Sequence, residues 1–318
     1  MKAIVVHQPG PPEVLRYEEI PTPGTRPGWS VVKVQAVGVN RSEIFTRQGL
    51  SPTVTFPRIL GIECVGVVAD STTPTLVPGQ KVAALMGGMG REFDGGYAEY
   101  VLLPNDRIWP IHTSFTWEEL GAVPETFVTA LGSMKQLQLR ADSRLLVRAA
   151  TSGVGVATIQ LVRALYPNAV IVGTTRKESK FDTLKALGCD EVILEDPQNA
   201  IQSDEKFDSI LDLIGPSAIR HSFAVMKRGG IVCNTGLLGG QWTLENFDPI
   251  IDTCGGYLTG YHSGDATADL LQEAITIIED HAIDVTPHKV LPLKEAARAH
   301  ALMESGAGYG KYVLLPEH

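Results

Sequence analysis

The sequence predicts an α/β protein in which a doubly wound parallel sheet is joined to a second, β-rich domain. Between residues 123 and 262, short apolar runs alternate with helix-forming stretches, as in parallel strands that are buried on both faces. The first 120 residues instead hold strand-like runs separated by Pro and Gly. A chain of 318 residues exceeds the usual size of one hydrophobic core. We therefore expect one domain at residues 123–262 and another at residues 1–122, completed by residues 263–318.

A run of small residues joins the first strand and the first helix of the 123–262 region. Residues 145–147 form an apolar run, a helix-forming stretch begins at Val156, and RAATSGVG fills positions 148–155. Small residues let backbone N–H groups at a helix N-terminus approach a pyrophosphate, and the helix dipole favours its charge. An ordinary tight turn is the alternative, because Ser152 stands where a stricter motif has glycine. The residues assigned to this dinucleotide cradle are Thr151, Ser152, Gly153 and Val154.

The second strand, at residues 169–175, ends in basic rather than acidic residues. An NAD-binding protein usually carries Asp or Glu there for the ribose hydroxyls, whereas this chain has Thr175, Arg176 and then Lys180. Arg176 and Lys180 suit a 2′-phosphate, to which Thr175 can donate a hydrogen bond. The sequence therefore predicts NADPH rather than NADH as the cofactor. The alternative is the solvated basic start of a helix predicted at residues 181–187.

The remaining apolar runs extend this sheet and build the second domain. Right-handed crossovers would stack the runs at 191–194, 209–215 and 230–236 beside the first two strands, with a last strand at 256–260. In the second domain, strands are predicted at residues 1–7, 31–37, 64–69, 81–85 and 97–103. Towards the end of the chain, helices are predicted at residues 268–281 and 296–304, and a closing strand at 311–315.

The charge composition of the sequence argues against two classes of binding partner. The net charge of −9 argues against nucleic acid or anionic membranes as partners. No apolar run is long enough to span a bilayer, and the N-terminus runs into a strand without the pattern of a signal peptide. We expect a cytoplasmic protein that acts on a small molecule.

Short motifs in a fixed order carry a family resemblance along nearly the whole chain. They are GVNRSE at 38–43, RQG at 47–49, LGIE at 60–63, VPGQKV at 77–82, GGYAEYV at 95–101, PETFVTA at 124–130, AARAH at 296–300 and GKYV at 310–313. With the cradle, they resemble the medium-chain dehydrogenase/reductase superfamily and, within it, the zinc-independent quinone oxidoreductase branch. The resemblance implies a Rossmann domain and a GroES-like catalytic domain.

The chain departs from the zinc alcohol dehydrogenases of this superfamily at two ligand positions. Those enzymes have a cysteine where this chain has Asn40, and a histidine where it has Ile62. A tetrahedral catalytic zinc site needs about three Cys, His or carboxylate ligands. The structural zinc lobe is also missing from the sequence, because residues 82–123 contain no cysteine. We therefore expect no metal.

The resemblance also implies roles for individual residues. Asn40 would lie beside the nicotinamide, where its amide could donate to a substrate carbonyl or orient the cofactor; a turn-forming asparagine is the alternative. Many quinone reductases have a tyrosine where this chain has Phe45, so no phenol could donate a proton there. Glu195 would lie near the adenosine edge. Further cofactor contacts implied by the resemblance are Thr129, Gly173, Gly236, Leu237, Tyr261 and Lys311. Alternatively, Gly236 only permits a turn, Tyr261 is a partly buried aromatic residue and Lys311 is a solvated charge.

Without a Lewis acid, hydride delivery to an activated carbon needs mainly positioning and a polar group near the developing oxyanion. We therefore predict an NADPH-dependent reductase of quinones or related α,β-unsaturated carbonyls. One alternative is an enoyl reductase that acts on an acyl thioester in lipid or polyketide metabolism. Another is a low-turnover, NADPH-binding structural or regulatory protein. The resemblance also implies a homodimer that pairs through the last strand, at residues 256–260, and an unpaired apolar edge makes such a partner strand physically reasonable.

Overall fold

The computed structural model describes residues 1–196, 198 and 200–317, which divide into two compact units. Unit 1 comprises Met1–Glu125, Ala266–Ile275 and Asp284–His318, and unit 2 comprises Thr126–Asp265 and Thr276–Ile283. The sequence analysis grouped residues 123–125 with the parallel-sheet domain, whereas they belong to unit 1. It grouped residues 263–265 with the β-rich domain, whereas they belong to unit 2. It also assigned all of residues 263–318 to the first domain, whereas Thr276–Ile283 groups with unit 2.

The helices and strands follow in chain order. Those of residues 1–123 are β1 (Lys2–Val6), β2 (Leu15–Glu19), β3 (Trp29–Val39), α1 (Arg41–Arg47), β4 (Arg58–Ile59), β5 (Glu63–Asp70), β6 (Lys81–Leu85), β7 (Tyr100–Pro104), β8 (Trp109–Pro110) and α2 (Trp117–Leu120). Next come α3 (Pro124–Leu137), β9 (Arg144–Val147), α4 (Gly153–Leu165), β10 (Val170–Thr175), α5 (Phe181–Ala186), β11 (Glu191–Leu194), β12 (Phe207–Asp212), α6 (Pro216–Ala224), β13 (Met226–Asn234) and β14 (Tyr257–Gly260). The last elements are α7 (Ala268–Asp280), β15 (Lys289–Pro292), α8 (Ala296–Ser305) and β16 (Tyr312–Leu315).

Unit 2 contains the doubly wound parallel sheet that the sequence predicts. Its strand order is β11-β10-β9-β12-β13-β14, with every neighbouring pair parallel. Numbered within the sheet, this is the order 3-2-1-4-5-6, in which the winding direction reverses between β9 and β12. The predicted fold class is thus confirmed. Ligands of such sheets bind beyond the carboxyl ends of the strands near this reversal.

Unit 1 is built from a β2-β1-β4 sheet and a larger sheet in the order β15-β16-β3-β5-β6-β8, with β7 also paired to β3. Strand β3 is central, and antiparallel β16 pairs with its end so that Tyr312 faces Val39. This register brings Lys311, just before β16, beside Asn40, just after β3. Strand β5 also pairs with β3 and begins at Glu63. The sheet therefore gathers three polar residues at one end of β3.

A search of the described residues finds no helix that is both long and apolar enough to cross a membrane. A cytoplasmic location and the lack of a nucleic-acid partner stay predictions.

Candidate active site

The cradle predicted after β9 leads into helix α4, whose N-cap is Ser152. The Ser152 hydroxyl accepts a hydrogen bond from the Gly155 N–H at 3.2 Å, and the Ser152 N–H donates to the Ala149 carbonyl at 3.0 Å. The first four N–H groups of a helix have no partner within the helix. The N–H groups of Gly153 and Val154 also have no recorded acceptor elsewhere in the described part of the chain. These two N–H groups are available to a phosphate.

Gly155 allows the start of α4 to pack closely on the preceding loop. A Cβ at this position would lie 2.7 Å from the Ala150 carbonyl oxygen, closer than real Cβ atoms come to such an atom. The four predicted cradle residues before it are all partly exposed, which keeps them accessible to a ligand. Ser152, which looked like a departure from the glycine motif, is explained by its capping role.

A buried ionic network lies behind the cradle. Arg148 is fully buried; its guanidinium pairs with Glu195 and donates to the Ala218 carbonyl at 2.8 Å. The other Glu195 oxygen accepts from the Thr174 hydroxyl at 2.9 Å. That hydroxyl in turn accepts the Ala149 N–H at 3.0 Å. The Glu195 carboxylate is therefore buried among protein groups that hold the cradle backbone, and its position near the adenosine edge stays a prediction.

The basic residues predicted for a 2′-phosphate follow β10. Thr175 is buried, and its hydroxyl accepts the Lys177 N–H at 3.3 Å, which leaves the hydroxyl proton for another acceptor. Arg176 is exposed and Lys180 half-buried. Gly173 lies inside β10, where a Cβ would meet the Cys189 sulfur at 2.8 Å, so packing accounts for this glycine. A cofactor contact at Gly173 stays a prediction.

The other predicted cofactor residues of unit 2 are linked through helix α3. Thr129 is buried in α3, and its carbonyl accepts from the Ser133 hydroxyl at 2.7 Å. Ser133 also bonds to the Thr235 hydroxyl at 2.8 Å, directly before the predicted Gly236 and Leu237. The ring of Tyr261 packs on α3 at Gly132, where a Cβ would lie 2.3 Å from it. The segments that follow β13 and β14 thus contact the same helix.

Unit 1 holds a polar cluster of Asn40, Glu63, Lys311 and Glu43. The Lys311 ammonium donates to the Asn40 side-chain oxygen and, at 2.6 Å, to Glu63 Oε1. The Asn40 Nδ2 donates to the same Glu63 oxygen at 2.8 Å and to Glu43 Oε1 at 3.3 Å. The Lys311 and Glu63 side chains are only 7% and 1% exposed. Lys311 is therefore buried, which excludes the alternative of a solvated surface charge. Both N–H donors of the Asn40 side chain are directed at carboxylates.

Glu43 completes this polar cluster from helix α1. Its carboxyl accepts the Asn40 N–H at 3.1 Å and the Ile62 N–H at 3.0 Å. Burial raises the pKa of Glu43 to about 7, although the Ile62 N–H and the Lys311 charge favour the ionised form. The cluster therefore contains a carboxyl group that titrates near neutral pH.

Gly38 is the glycine that makes room for the polar cluster. A Cβ at this position would lie 2.2 Å from Glu63 Oε1 and 2.5 Å from Lys311 Cε. Any side chain would force the carboxylate or the ammonium out of place.

The polar cluster does not fit a zinc ion. Lys311 holds the Asn40 oxygen and one Glu63 oxygen, and the other Glu63 oxygen accepts the Glu125 N–H at 2.9 Å. Ile62 has no ligand atom in its side chain. Over the described ranges, no group of three His, Cys, Asp or Glu residues is placed to hold a metal. The cationic Lys311 side chain is bonded to Asn40, the position at which the zinc enzymes have a cysteine ligand.

The sequence analysis missed Glu43, Glu63 and Arg148 as parts of these sites, and it missed the pairing of Glu195 with Arg148. One local signal existed for Glu43, which stands three residues after Asn40, the spacing of a helix capping box. The other three are charged residues, which are almost never fully buried unless they are paired, and their partners lie far along the chain. Lys311 was predicted as a cofactor contact, and the structure places it in unit 1, bonded to Asn40.

Two family models and several known proteins match the chain. Residues 26–113 match the model "Alcohol dehydrogenase GroES-like domain", and residues 187–314 match the model "Zinc-binding dehydrogenase". Quinone oxidoreductase 1 of Escherichia coli is 25% identical, over 98% of this chain and 99% of the relative. Polyketide synthase GfsB of Streptomyces halstedii is 27% identical over 89% of this chain, which spans only 5% of that synthase. The yhdH oxidoreductase of Salmonella enterica, solved in complex with NADP, has the same fold with a TM-score of 0.87, covers all of both chains and is 20% identical.

Together, the two models cover more than half of the chain, and both describe dehydrogenases. The fold and these matches define an oxidoreductase. The chain belongs to the quinone oxidoreductase branch of the medium-chain dehydrogenase/reductase superfamily.

Proposed function

We propose that the protein is an NADPH-dependent, zinc-independent reductase of quinones or related α,β-unsaturated carbonyls. The observation that carries this proposal is the grouping of the cradle, Arg176 and Gly236 in segments that follow β9, β10 and β13. Parallel strands bring these segments to one edge of the sheet, where a dinucleotide binds in this fold. NADPH, when bound, supplies a hydride. In unit 1, the polar cluster holds the buried Lys311 ammonium beside Asn40 and Glu63.

The cradle residues fit the pyrophosphate of this cofactor. Two adjacent N–H groups, of Gly153 and Val154, point out of a helix N-terminus without a protein acceptor among the described residues. The dipole of the thirteen-residue helix α4 adds a favourable field for a phosphate. The Salmonella enterica oxidoreductase, which shares the fold, is solved with NADP. Thr129, Thr151, Gly236, Leu237 and Tyr261 remain proposed contacts of the same cofactor.

The preference for NADPH rests on Arg176. This guanidinium is exposed, and no partner is recorded for it in the parts of the chain that the structure describes. A charge-assisted hydrogen bond to the 2′-phosphate would exist with NADPH and not with NADH. Arg176→Ala is therefore expected to raise the KM for NADPH about tenfold or more and to leave the KM for NADH unchanged.

Arg140 provides a matched control for this measurement. It is an exposed arginine of unit 2 that precedes β9, at the amino rather than the carboxyl edge of the sheet. Arg140→Ala is expected to leave both KM values at the wild-type level. Wild-type protein that prefers NADH, or an Arg176→Ala variant that keeps its preference for NADPH, would contradict the assignment of Arg176 and Lys180.

The substrate class is tested by the oxidation of NADPH in the presence of three electrophiles: 9,10-phenanthrenequinone, an aliphatic enone and an enoyl thioester. Turnover of the quinone or the enone supports the proposal. The match to a polyketide synthase favours the enoyl thioester as the second candidate, and turnover of that substrate alone would favour an enoyl reductase. Tight binding of NADPH without turnover of any electrophile would favour the structural or regulatory protein.

We also propose that two copies of the chain pair through β14. This strand is the edge of the six-stranded sheet, and Tyr257 and Leu258 are 65% and 43% exposed. Nearby in sequence, Ile250 is also exposed. An exposed apolar edge strand is a template for pairing, and a two-fold axis would satisfy both copies.

Leu258→Lys is expected to convert this dimer into a monomer, because it places a charge on the apolar edge strand that would pair. Light scattering coupled to gel filtration measures the mass. Val77→Lys is the control, since Val77 is an exposed valine of unit 1, and it should leave the mass at that of the wild type. A wild-type protein that is monomeric at micromolar concentration would refute the pairing.

A further inference from the structure

Lys311 has a hydrogen-bond donor that the protein does not use. An ammonium group carries three N–H donors. The structure records two acceptors for Lys311, the Asn40 side-chain oxygen and Glu63 Oε1, and no third one among residues 1–196, 198 and 200–317. The Lys311 side chain is 7% exposed, so it is buried but not completely enclosed.

Asn40 cannot play the donor role that the resemblance implied without leaving its partners. Its Nδ2 donates to Glu63 at 2.8 Å and to Glu43 at 3.3 Å, and its oxygen is held by Lys311. Among the four residues of the polar cluster, the two carboxyl groups accept and the amide is fully bonded. The remaining N–H donor of the polar cluster is therefore on the Lys311 ammonium.

We propose that Lys311 stabilises the oxyanion that forms when the substrate is reduced and supplies its proton, taking the place of the metal ion of the zinc enzymes. This inference rests on the proposed reductase function. Asn40 and Glu63 are positioning residues, since they fix the ammonium from two sides. Lys311 and Glu63 also pack closely against Gly38, because a Cβ at that position would collide with Lys311 Cε and Glu63 Oε1. This packing restricts the position of the ammonium group.

The hydride, the electron pair and the proton of this reduction can all be accounted for without a metal ion. A carbon–hydrogen bond forms at the electrophilic carbon as the hydride arrives, and the electron pair of the conjugated system moves onto the carbonyl oxygen. The third N–H bond of Lys311 then breaks as an O–H bond forms, giving a neutral amine and an enol, which for a quinone substrate is a tautomer of the hydroquinone. The neutral amine then regains a proton from water. A preorganised positive charge acts on the oxyanion as a metal ion would.

Lys311→Met tests the inference through turnover. Removal of one oxyanion-stabilising donor is expected to lower kcat about 10²- to 10³-fold. The KM for NADPH should stay unchanged. Lys294→Met is the matched control, because Lys294 is a half-exposed lysine of unit 1 that pairs with Glu317 at the surface, and it should keep the wild-type kcat. Equal kcat values in Lys311→Met and wild-type protein would overturn the proposal.

Binding of 4-nitrophenol provides a readout that needs no cofactor. Its phenolate mimics the oxyanion and absorbs visible light, so the wild-type protein should bind the phenolate form and lower the apparent pKa of the bound phenol. Lys311→Met is expected to bind the phenolate at least about tenfold more weakly, since a hydrogen bond to a charged group is lost. Phenolate binding that does not change in this variant would overturn the inference.

Two further outcomes separate this inference from the proposed function and from misfolding. Wild-type protein that binds the phenolate through Lys311 but reduces no electrophile would refute the reductase function and support the oxyanion site. If Lys311→Met fails to fold, because Glu63 is left buried without its cation, the double variant Lys311→Met/Glu63→Gln removes both charges. A folded double variant with wild-type kcat would overturn the proposal, and one with the large kcat loss would support it.

Discussion

Arg148→Met is expected to lower the free energy of unfolding by about 3–5 kcal/mol, because it leaves buried carboxylates without their cation. The guanidinium is fully buried, pairs with Glu195 and donates to the Ser222 hydroxyl at 2.9 Å. Asp212 lies 3.7 Å from the same nitrogen and is also fully buried. Burial lowers the pKa of the Arg148 guanidinium, and the Asp212 charge opposes this effect. Methionine fills much of the volume but supplies neither charge nor donors.

The same substitution should weaken the binding of NADPH. Glu195 connects Arg148 to the Thr174 hydroxyl, which accepts the Ala149 N–H. Ala149 has a φ of 55°, an uncommon value for a residue with a side chain, so the cradle backbone needs such support. Thermal unfolding by calorimetry and titration of NADPH fluorescence measure the two effects.

A double variant distinguishes the ionic network from simple packing. Arg148→Met/Glu195→Gln removes the cation and one carboxylate together, so it should recover part of the stability that the single variant loses. The surface variant Lys294→Met should leave the midpoint of unfolding near that of the wild type, since exposed ion pairs contribute little. A single variant as stable as the wild type would show that the network does not support the cradle.

The sheet of unit 2 could be predicted from the sequence because its inner strands are largely buried. Such strands are continuous apolar runs, and β10 (Val170–Thr175) begins one residue after the start of the run predicted at residues 169–175. The cradle could be predicted because the turn, the cap and the small residues are local in sequence. Helix boundaries were harder: α4 begins at Gly153, three residues before the predicted Val156, since the Ser152 cap is a hydrogen bond rather than an apolar pattern.

The polar cluster could not be predicted from local patterns. Lys311 and Glu63 are separated by 248 positions, and only the pairing of β16 and β5 with β3 brings them together. A lysine read in isolation is expected at the surface, because a buried charge is tolerated only with a partner. The resemblance singled out Asn40 and Lys311, but it could not show that the Lys311 ammonium is bonded to the Asn40 side chain.

Glu43 gives the protein a stability that depends on pH near neutrality. Burial raises the pKa of this carboxyl in the folded protein to about 7, whereas a glutamate of the unfolded chain titrates at about 4.3. Between these values the folded state binds one proton more than the unfolded state, so stability falls as pH rises. The contribution of the group is fully present below about pH 4, is lost progressively up to about pH 7 and is constant above it, a total of about 4 kcal/mol.

Glu43→Gln is expected to remove this pH dependence, because the amide has the shape of the protonated carboxyl and does not ionise. The variant should match the wild type most closely near about pH 5 and be the more stable protein near about pH 8. Calorimetric unfolding of both proteins across this range measures the difference, in which the titration of all other groups cancels. Glu118→Gln, an exposed carboxyl on α2, is the control and should follow the wild-type profile. A difference between Glu43→Gln and the wild type that is constant with pH would mean that Glu43 ionises alike in the folded and unfolded chain. In that case, the amide and ammonium groups around Glu43 would stabilise its charge as well as water does.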